Sequence, residues 1–383
     1  MYPRRQRRFR RRPGLQWQQG QVILLSVVLL AIVGAIALFS VIQPRNPALG
    51  NNAQTAQALA QAKQALIAYA GARYNERPGE LPCPDTDNNG SAQSSCNTAA
   101  SQIGRLPWAT LGLSDLRDSA GERLWYAVSS NFKNNPALTP LNSNTPGQLG
   151  VTGIAPASNV IAIVFAAGTA VAGQTRSTAN VNNVAHYLEG ENANGDTTFT
   201  TAVSSDTFND RLLAITAAMF FPQVEMRVAR EARVFLNEYY RSLDYFPSAN
   251  AYGGSACTAA AQGRIAEDPS ACAGGQHNWA GAGVPNWFWS DKWHEVLFYA
   301  VAPACADPAA TLCAGAGGYL SVNGVGNVRA LVITPGALFP GQVRSLTAGI
   351  DNYLEPPNTT AFPAFTHATG SATLNDRVII VAP

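Results

Sequence analysis

The chain has 383 residues, a net charge of +2 and only 13% charged residues. Seven arginines crowd residues 1–12 without an acid, and removing them from the net of +2 leaves −5 for everything beyond. No basic surplus remains there for a nucleic-acid surface, and nucleic acid is excluded as a partner.

In chain order, the basic segment is followed by VILLSVVLLAIVGAIALFSVI at 22–42, without a charge. As a helix it would be about 31 Å long, the thickness of a hydrocarbon core. The arginines read as a positive-inside signal, which predicts a retained single-pass helix over 21–43 with residues 1–20 cytoplasmic. Pro44 and Pro47 break the run. Residues 53–72 then carry Ala58, Leu59, Ala62, Leu66 and Tyr69 at helical spacing. Residues 79–121 are rich in turn formers, and LWYAV (124–128), VIAIVFA (160–166) and RLLAIT (211–216) read as strands. A second helix follows, with Val224, Val228, Ala232, Phe235, Leu236 and Tyr239 on one face. A Trp-rich loop region leads to LFYAV (297–301), RALVIT (329–334) and RVIIVA (377–382).

The second half repeats the first. GQTRS and YLE at 173–189 return as GQVRS and YLE at 341–355, TFNDRLLAI returns as TLNDRVIIV, and LWYAV as LFYAV. The landmarks Arg176/Arg344, Asp210/Asp376, Tyr126/Tyr299 and Tyr69/Tyr239 keep one order at nearly constant offset. Such a period is far beyond a solenoid repeat, so each copy is a small domain, 53–217 and 218–383. The short apolar junction at 217–222 predicts that the copies pack together. Six cysteines lie beyond the apolar run. Neighbour pairing, Cys83–Cys96, Cys257–Cys272 and Cys305–Cys313, is expected in an oxidising compartment.

The order of basic leader, apolar segment, helix and small sheet resembles the type IV pilin and type II secretion pseudopilin superfamily. The head pattern ALIAYA…GELPCPDTDNNG…GRLPW…GERLWYAVS within 65–129 resembles prepilin-type heads. The resemblance implies an α+β fold: an N-terminal transmembrane helix, then two tandem pilin-like units, each an amphipathic helix on a small antiparallel sheet with long disulfide-closed loops. It further implies processing between Gly20 and Gln21 by a prepilin peptidase. The fifth mature residue would be Leu25, where most members of the family carry a glutamate that contacts a neighbouring subunit, and this points to a minor or tip component. The expected setting is the bacterial inner membrane, single-pass, with periplasmic heads contacting membrane lipid and other pilin or pseudopilin subunits.

Other constellations are weaker. DTDNNG places Asp85, Asp87 and Asn89 as the opening of a candidate calcium loop, although Cys96 stands where a bidentate Glu belongs. No other cofactor is implied. Trp289 and Trp293, within a cluster including Trp279, Trp287 and Phe288, are candidate recognition residues for a glycan or protein. The duplicated Asn-Asp-Arg, with Asp210/Arg211 and Asp376/Arg377, reads as a turn with a fixed ion pair. Arg176/Arg344 and Glu189/Glu355 read as buried pairs that set the loop between strands. The histidines lack metal-ligand spacing, and no nucleophile elbow or phosphate loop occurs. The sequence therefore reads as a structural or interaction protein, not an enzyme. A glycan- or protein-recognition module is the first alternative and a tethered hydrolase the second.

Overall fold

A computed structural model describes residues 47–72, 77–98, 102–133, 140–253, 259–266, 277–306, 313, 318–345, 347–367 and 373–383. The leader at 1–20, the Gly20–Gln21 processing position and the apolar run at 21–43 lie outside the described residues, as do Cys257 and Cys272. Among the described residues no helix is long and apolar enough to cross a membrane. That finding corrects the expectation of a single-pass inner-membrane protein: the two long described helices face inward on one stripe and carry polar residues on the other, the pattern of helices packed on sheets.

The first copy opens with α1 (Pro47–Ala70). Ala58, Leu59, Ala62 and Leu66 form its buried stripe, and the chain leaves the helix at Gly71. Strands β1 (Ile103–Arg105), β2 (Trp125–Val128), β3 (Leu149–Gly153), β4 (Ala157–Ala166), β5 (Thr198–Thr201) and β6 (Arg211–Thr216) form one sheet. Its order is β1-β2-β4-β3-β5, with β6 also paired to β4. β4 holds the centre because its ValIleAlaIleValPheAla run is buried on both faces.

The second copy opens with α2 (Ala217–Leu243), which ends at Asp244 in the left-handed region (φ 62°) with its N–H on the Tyr240 carbonyl. Then come β7 (Ala249–Asn250), β8 (Ala259–Ala260), β9 (Gln262–Ile265), helices α3 (Asn286–Ser290) and α4 (Trp293–Val296), β10 (Phe298–Val301), helix α5 (Pro303–Ala306), β11 (Leu320–Val322), β12 (Val325–Val328), β13 (Ala330–Thr334), β14 (Ala364–Phe365) and β15 (Arg377–Ala382). Here one sheet runs β15-β13-β10-β9-β7-β8 and a smaller one β12-β11-β14.

The strands the copies share have one topology once β12 and β13 are read as a broken β4, and the second sheet adds β7 and β8 beyond β9. β3 pairs antiparallel with β4 and parallel with β5, and β11 pairs antiparallel with β12 and parallel with β14. Asn159 and Asn327 take positive φ (54° and 67°) at matching points of those strands. The parallel pairs correct the expected purely antiparallel meander. They arise because the chain leaves β4 through a long polar loop, passes over β3 and returns as β5 on its far side, which a hairpin cannot do. The architecture is thus mixed α/β with three sheets and five α-helices among the described residues.

Residues 54–383 form one compact unit. α2 is the reason: Phe220, Phe221, Val224 and Val228 near its start face the first copy, and Ala232, Phe235, Leu236 and Tyr239 continue one buried cluster into the second. Phe132 of the first copy meets Phe220 edge-on at 5.7 Å between ring centroids. Disulfides close Cys83–Cys96 and Cys305–Cys313, two of the expected neighbour pairs.

Candidate functional site

The most elaborate polar structure in the molecule occurs twice. In the first copy the Glu189 N–H (2.8 Å) and the Asn192 amide (3.0 Å) both donate to Asp210 Oδ2. The backbone N–H of Asn209 donates to Glu189 Oε2 (2.9 Å), and Gln174 Nε2 to Glu189 Oε1 (2.8 Å). In the second copy the Glu355 N–H (3.2 Å) and the Asn358 amide (2.9 Å) donate to Asp376 Oδ2. Asn375 N–H donates to Glu355 Oε2 (3.3 Å) and Gln342 Nε2 to Glu355 Oε1 (2.9 Å). Each cluster ties the loop after β4 or β13 to the start of the last strand of its copy.

Both aspartates are buried beside a glutamate, and both carry an Oδ1 without a hydrogen-bond partner. Burial, reinforced by the neighbouring glutamate, pushes the Asp210 and Asp376 carboxyls up to about 8. Each Asp–Glu pair therefore holds one proton at neutral pH. The orphan Oδ1 of each aspartate is where that proton belongs. This corrects the expected Asp–Arg ion pairs. Asp210 and Asp376 face glutamates, while Arg377 Nη1 approaches the Pro222 carbonyl at 3.5 Å.

Arg176 and Arg344 do set the loops. Arg176 donates to the carbonyls of Ala167, Gly168 and His186, and Arg344 to those of Pro335, Gly336 and Asn352. Sequence comparison of the copies found Arg176/Arg344, Glu189/Glu355 and Asp210/Asp376. It missed Gln174/Gln342 and Asn192/Asn358, which were legible as identities flanking the same landmarks.

The expected calcium loop closes on itself. Asp85 is buried, its Oδ1 accepting from Asp87 N–H (3.0 Å) and Asn88 N–H (2.6 Å) and its Oδ2 from Gly90 N–H (2.7 Å). Asp87 in turn accepts from the Asn89 side-chain amide at 2.9 Å. These carboxylate lone pairs point to amide hydrogens rather than to a common centre, the geometry of an Asx-type turn. Gly90 (φ 87°) is required there, because a Cβ would lie 2.4 Å from the Trp108 ring.

The expected recognition pair separates. Trp293 is fully buried, and Trp289 is half-buried against Trp279, Phe288 and His294. The tryptophans cluster because they fill the layer between α2 and the second sheet. His294, inside that layer, is pushed down to about 4 by burial and stays neutral.

The arrangement of the first copy that does open to solvent is a cleft of about 270 Å³ beside β1 and β2. Its base is Arg105, whose guanidinium carbon lies 4.1 Å from the Trp125 ring centroid and 4.0 Å from that of Tyr187. Arg105 Nη2 donates to Val181 O (2.8 Å) and Nη1 to Arg123 O (2.9 Å). Burial lowers its pKa to about 10, well above neutrality, so it stays charged. Arg123 grips Asp115 through Nε (2.8 Å) and Nη2 (3.0 Å), and Arg117 holds the same carboxylate at 2.7 Å. Burial alone would raise Asp115, but the bonds from Arg123 and Arg117 outweigh it and hold the carboxyl below its usual range.

No family model, curated protein or solved structure matches the chain.

Proposed function

We propose that the chain is a non-enzymatic structural subunit of an extracytoplasmic assembly, in which two pilin-like heads act as one rigid block. One observation carries the reading: among the described residues, the polar clusters that the two copies share are spent on holding loops against sheets. The Asp–Glu pairs are closed by backbone N–H groups, and their aspartates are almost wholly buried. Such groups lack the access to substrate that an acid or base needs. The disulfides suit an oxidising compartment. A rigid block is what a subunit transmitting position between neighbours requires, and the Arg77–Asp291 pair (2.8 Å) pins the copies together accordingly.

The test is in-cell cross-linking of the full chain, with mass spectrometry of the adducts and of the sheared extracellular fraction. Reproducible links to pilin-like or pseudopilin-like subunits are expected. Exclusive recovery as an uncross-linked monomer would overturn the reading.

A further inference from the structure

The two copies act as controls for one another, and one feature separates them. In the first copy the aromatic pair Trp125/Tyr187 is covered by the Arg105 guanidinium, and the cleft opens beside it. In the second, the equivalent pair is Phe298/Tyr353. There the ring of Tyr252 occupies the slot, 4.3 Å from Tyr353 and 6.2 Å from Phe298. Where the first copy has Arg123 two residues before Trp125, the second has the buried Val296 two residues before Phe298. The second copy fills the slot with Tyr252 beside the buried Arg264, the counterpart of Arg105, whereas the first leaves the space beside its arginine open.

Around the open cleft stand Arg105, Arg117, Arg123 and, through Glu122, Arg176 at 3.3 Å. Against them stand two carboxylates, Asp115 and Glu122, so two positive charges remain uncompensated locally. Arg117 is the solvent-facing member: its side chain is 46% exposed. Its Nη1 serves Gly121 O and its Nη2 serves Asp115, which leaves the Nε–H and the second hydrogen of each Nη for a ligand. Guanidinium edges match planar carboxylates. Arg105 stacks on Trp125 and Tyr187, so the body of a ligand meets Asn88, Glu122 and the guanidiniums on one side and Val181 with the edge of Tyr187 on the other. The volume of about 270 Å³ has room for one sugar ring.

We infer that this cleft binds a small polyhydroxylated carboxylate, of the class of the uronic acids, with Arg117 as the ligating cation and Arg105 and Arg123 as the fixed positive floor. The inference is independent of the assembly reading and stands or falls separately from it.

Isothermal titration of the purified full chain would use glucuronate, with glucose, inorganic phosphate and N-acetyl-alanyl-alanine as comparison probes. Saturable binding of glucuronate alone is expected, and Arg117→Gln should weaken it at least about tenfold. Arg117→Glu should abolish it, and melting midpoints of both variants, which lose the bonds to Asp115 and Gly121, are measured alongside to show that each is folded at the assay temperature. Equal binding of glucose, tighter binding of phosphate or of the dipeptide, or an affinity unchanged in Arg117→Gln would each overturn the assignment.

Discussion

The duplicated Asp–Glu pairs make the protein more stable in mild acid than in mild base, and substituting Asp210→Asn and Asp376→Asn together should erase that difference. Both aspartates rise from 3.8 to about 8 in the folded state, chiefly through burial. Between those values the native chain keeps two protons that the unfolded chain has released. Stability is therefore fully present below the unfolded pKa and is lost as pH rises through the folded one. The slope is at most about 1.4 kcal/mol per pH unit per site, or roughly 3 kcal/mol per unit for both. For a unit of this size that is roughly 5 °C in melting midpoint per pH unit.

Asp85, Asp118 and Glu225 are raised by burial and tilt the same way, whereas His277 and His294 are lowered by burial and oppose them below about pH 6.5. The wild-type-minus-variant difference isolates the aspartates. Asparagine reproduces the protonated form, its oxygen accepting from Glu189 N–H and Asn192 and its NH₂ facing the glutamate. Calorimetric melts from pH 5 to 8 should show the wild type falling above pH 6.5 and the double variant flatter and more stable, the gap between them widening as pH rises. A wild-type midpoint that is flat or rises over pH 6.5–8, or a double variant with the wild-type slope, would refute shared-proton pairing.

Asp291→Ala should cost about 3 kcal/mol in urea unfolding. It removes the acceptor of the Arg77 Nε–H and of the Leu141 N–H, which donate to Asp291 Oδ1 at 2.9 and 3.0 Å across the junction of the copies. Replacing Cys83 and Cys96 together by Ala should lower stability by about 2–3 kcal/mol through the freed 13-residue loop, and reductant should shift the wild type further because it also opens Cys305–Cys313. Gly90→Ala should destabilise by about 2 kcal/mol, because φ 87° is strained for Ala and the Trp108 ring must retreat. Trp293→Ala should cost about 3–5 kcal/mol in the same denaturation assay, and Trp289→Ala far less, since only the first is wholly buried.

The sequence carries the duplication and the principal strands openly, because repeated landmarks and β-branched runs are local signals. α2 is legible for the same reason: Val224, Val228, Ala232 and Tyr239 recur at helical spacing and are buried. What escapes is relational. The partner of Asp210 is a glutamate 21 residues away, brought close only when the loop after β4 folds back. The parallel β3–β5 pairing depends on that same long crossover and has no periodicity to betray it. An Asp-x-Asp-x-Asn-Gly run looks the same whether its oxygens meet a cation or their own amides. Tryptophan density likewise does not separate a surface from a core, and here Trp293 went inward because α4 presents it to the layer under α2.

Comparison of the copies also shows which requirement is fixed and which residue is free to change. The N–H of Gly168 donates to Asp118 Oδ2 at 2.9 Å, and the N–H of its counterpart Gly336 donates to Glu225 Oε2 at 3.0 Å. Both carboxyls are raised, burial being the largest cause in each. The carboxyl comes from a loop in one copy and from a helix in the other. The Tyr69/Tyr239 offset places Thr55 of α1 opposite Glu225. Thr55 Oγ1 accepts from Ser119 N–H at 3.1 Å, beside Asp118, so α1 reaches the same glycine through one intermediary. A buried N–H at the end of the central strand must be satisfied, and either route satisfies it. In the second copy the direct route fixes α2 to its own sheet, while the apolar start of the same helix is buried against the first copy. α2 is thereby held by both copies at once, which accounts physically for their folding as one block rather than as two linked heads.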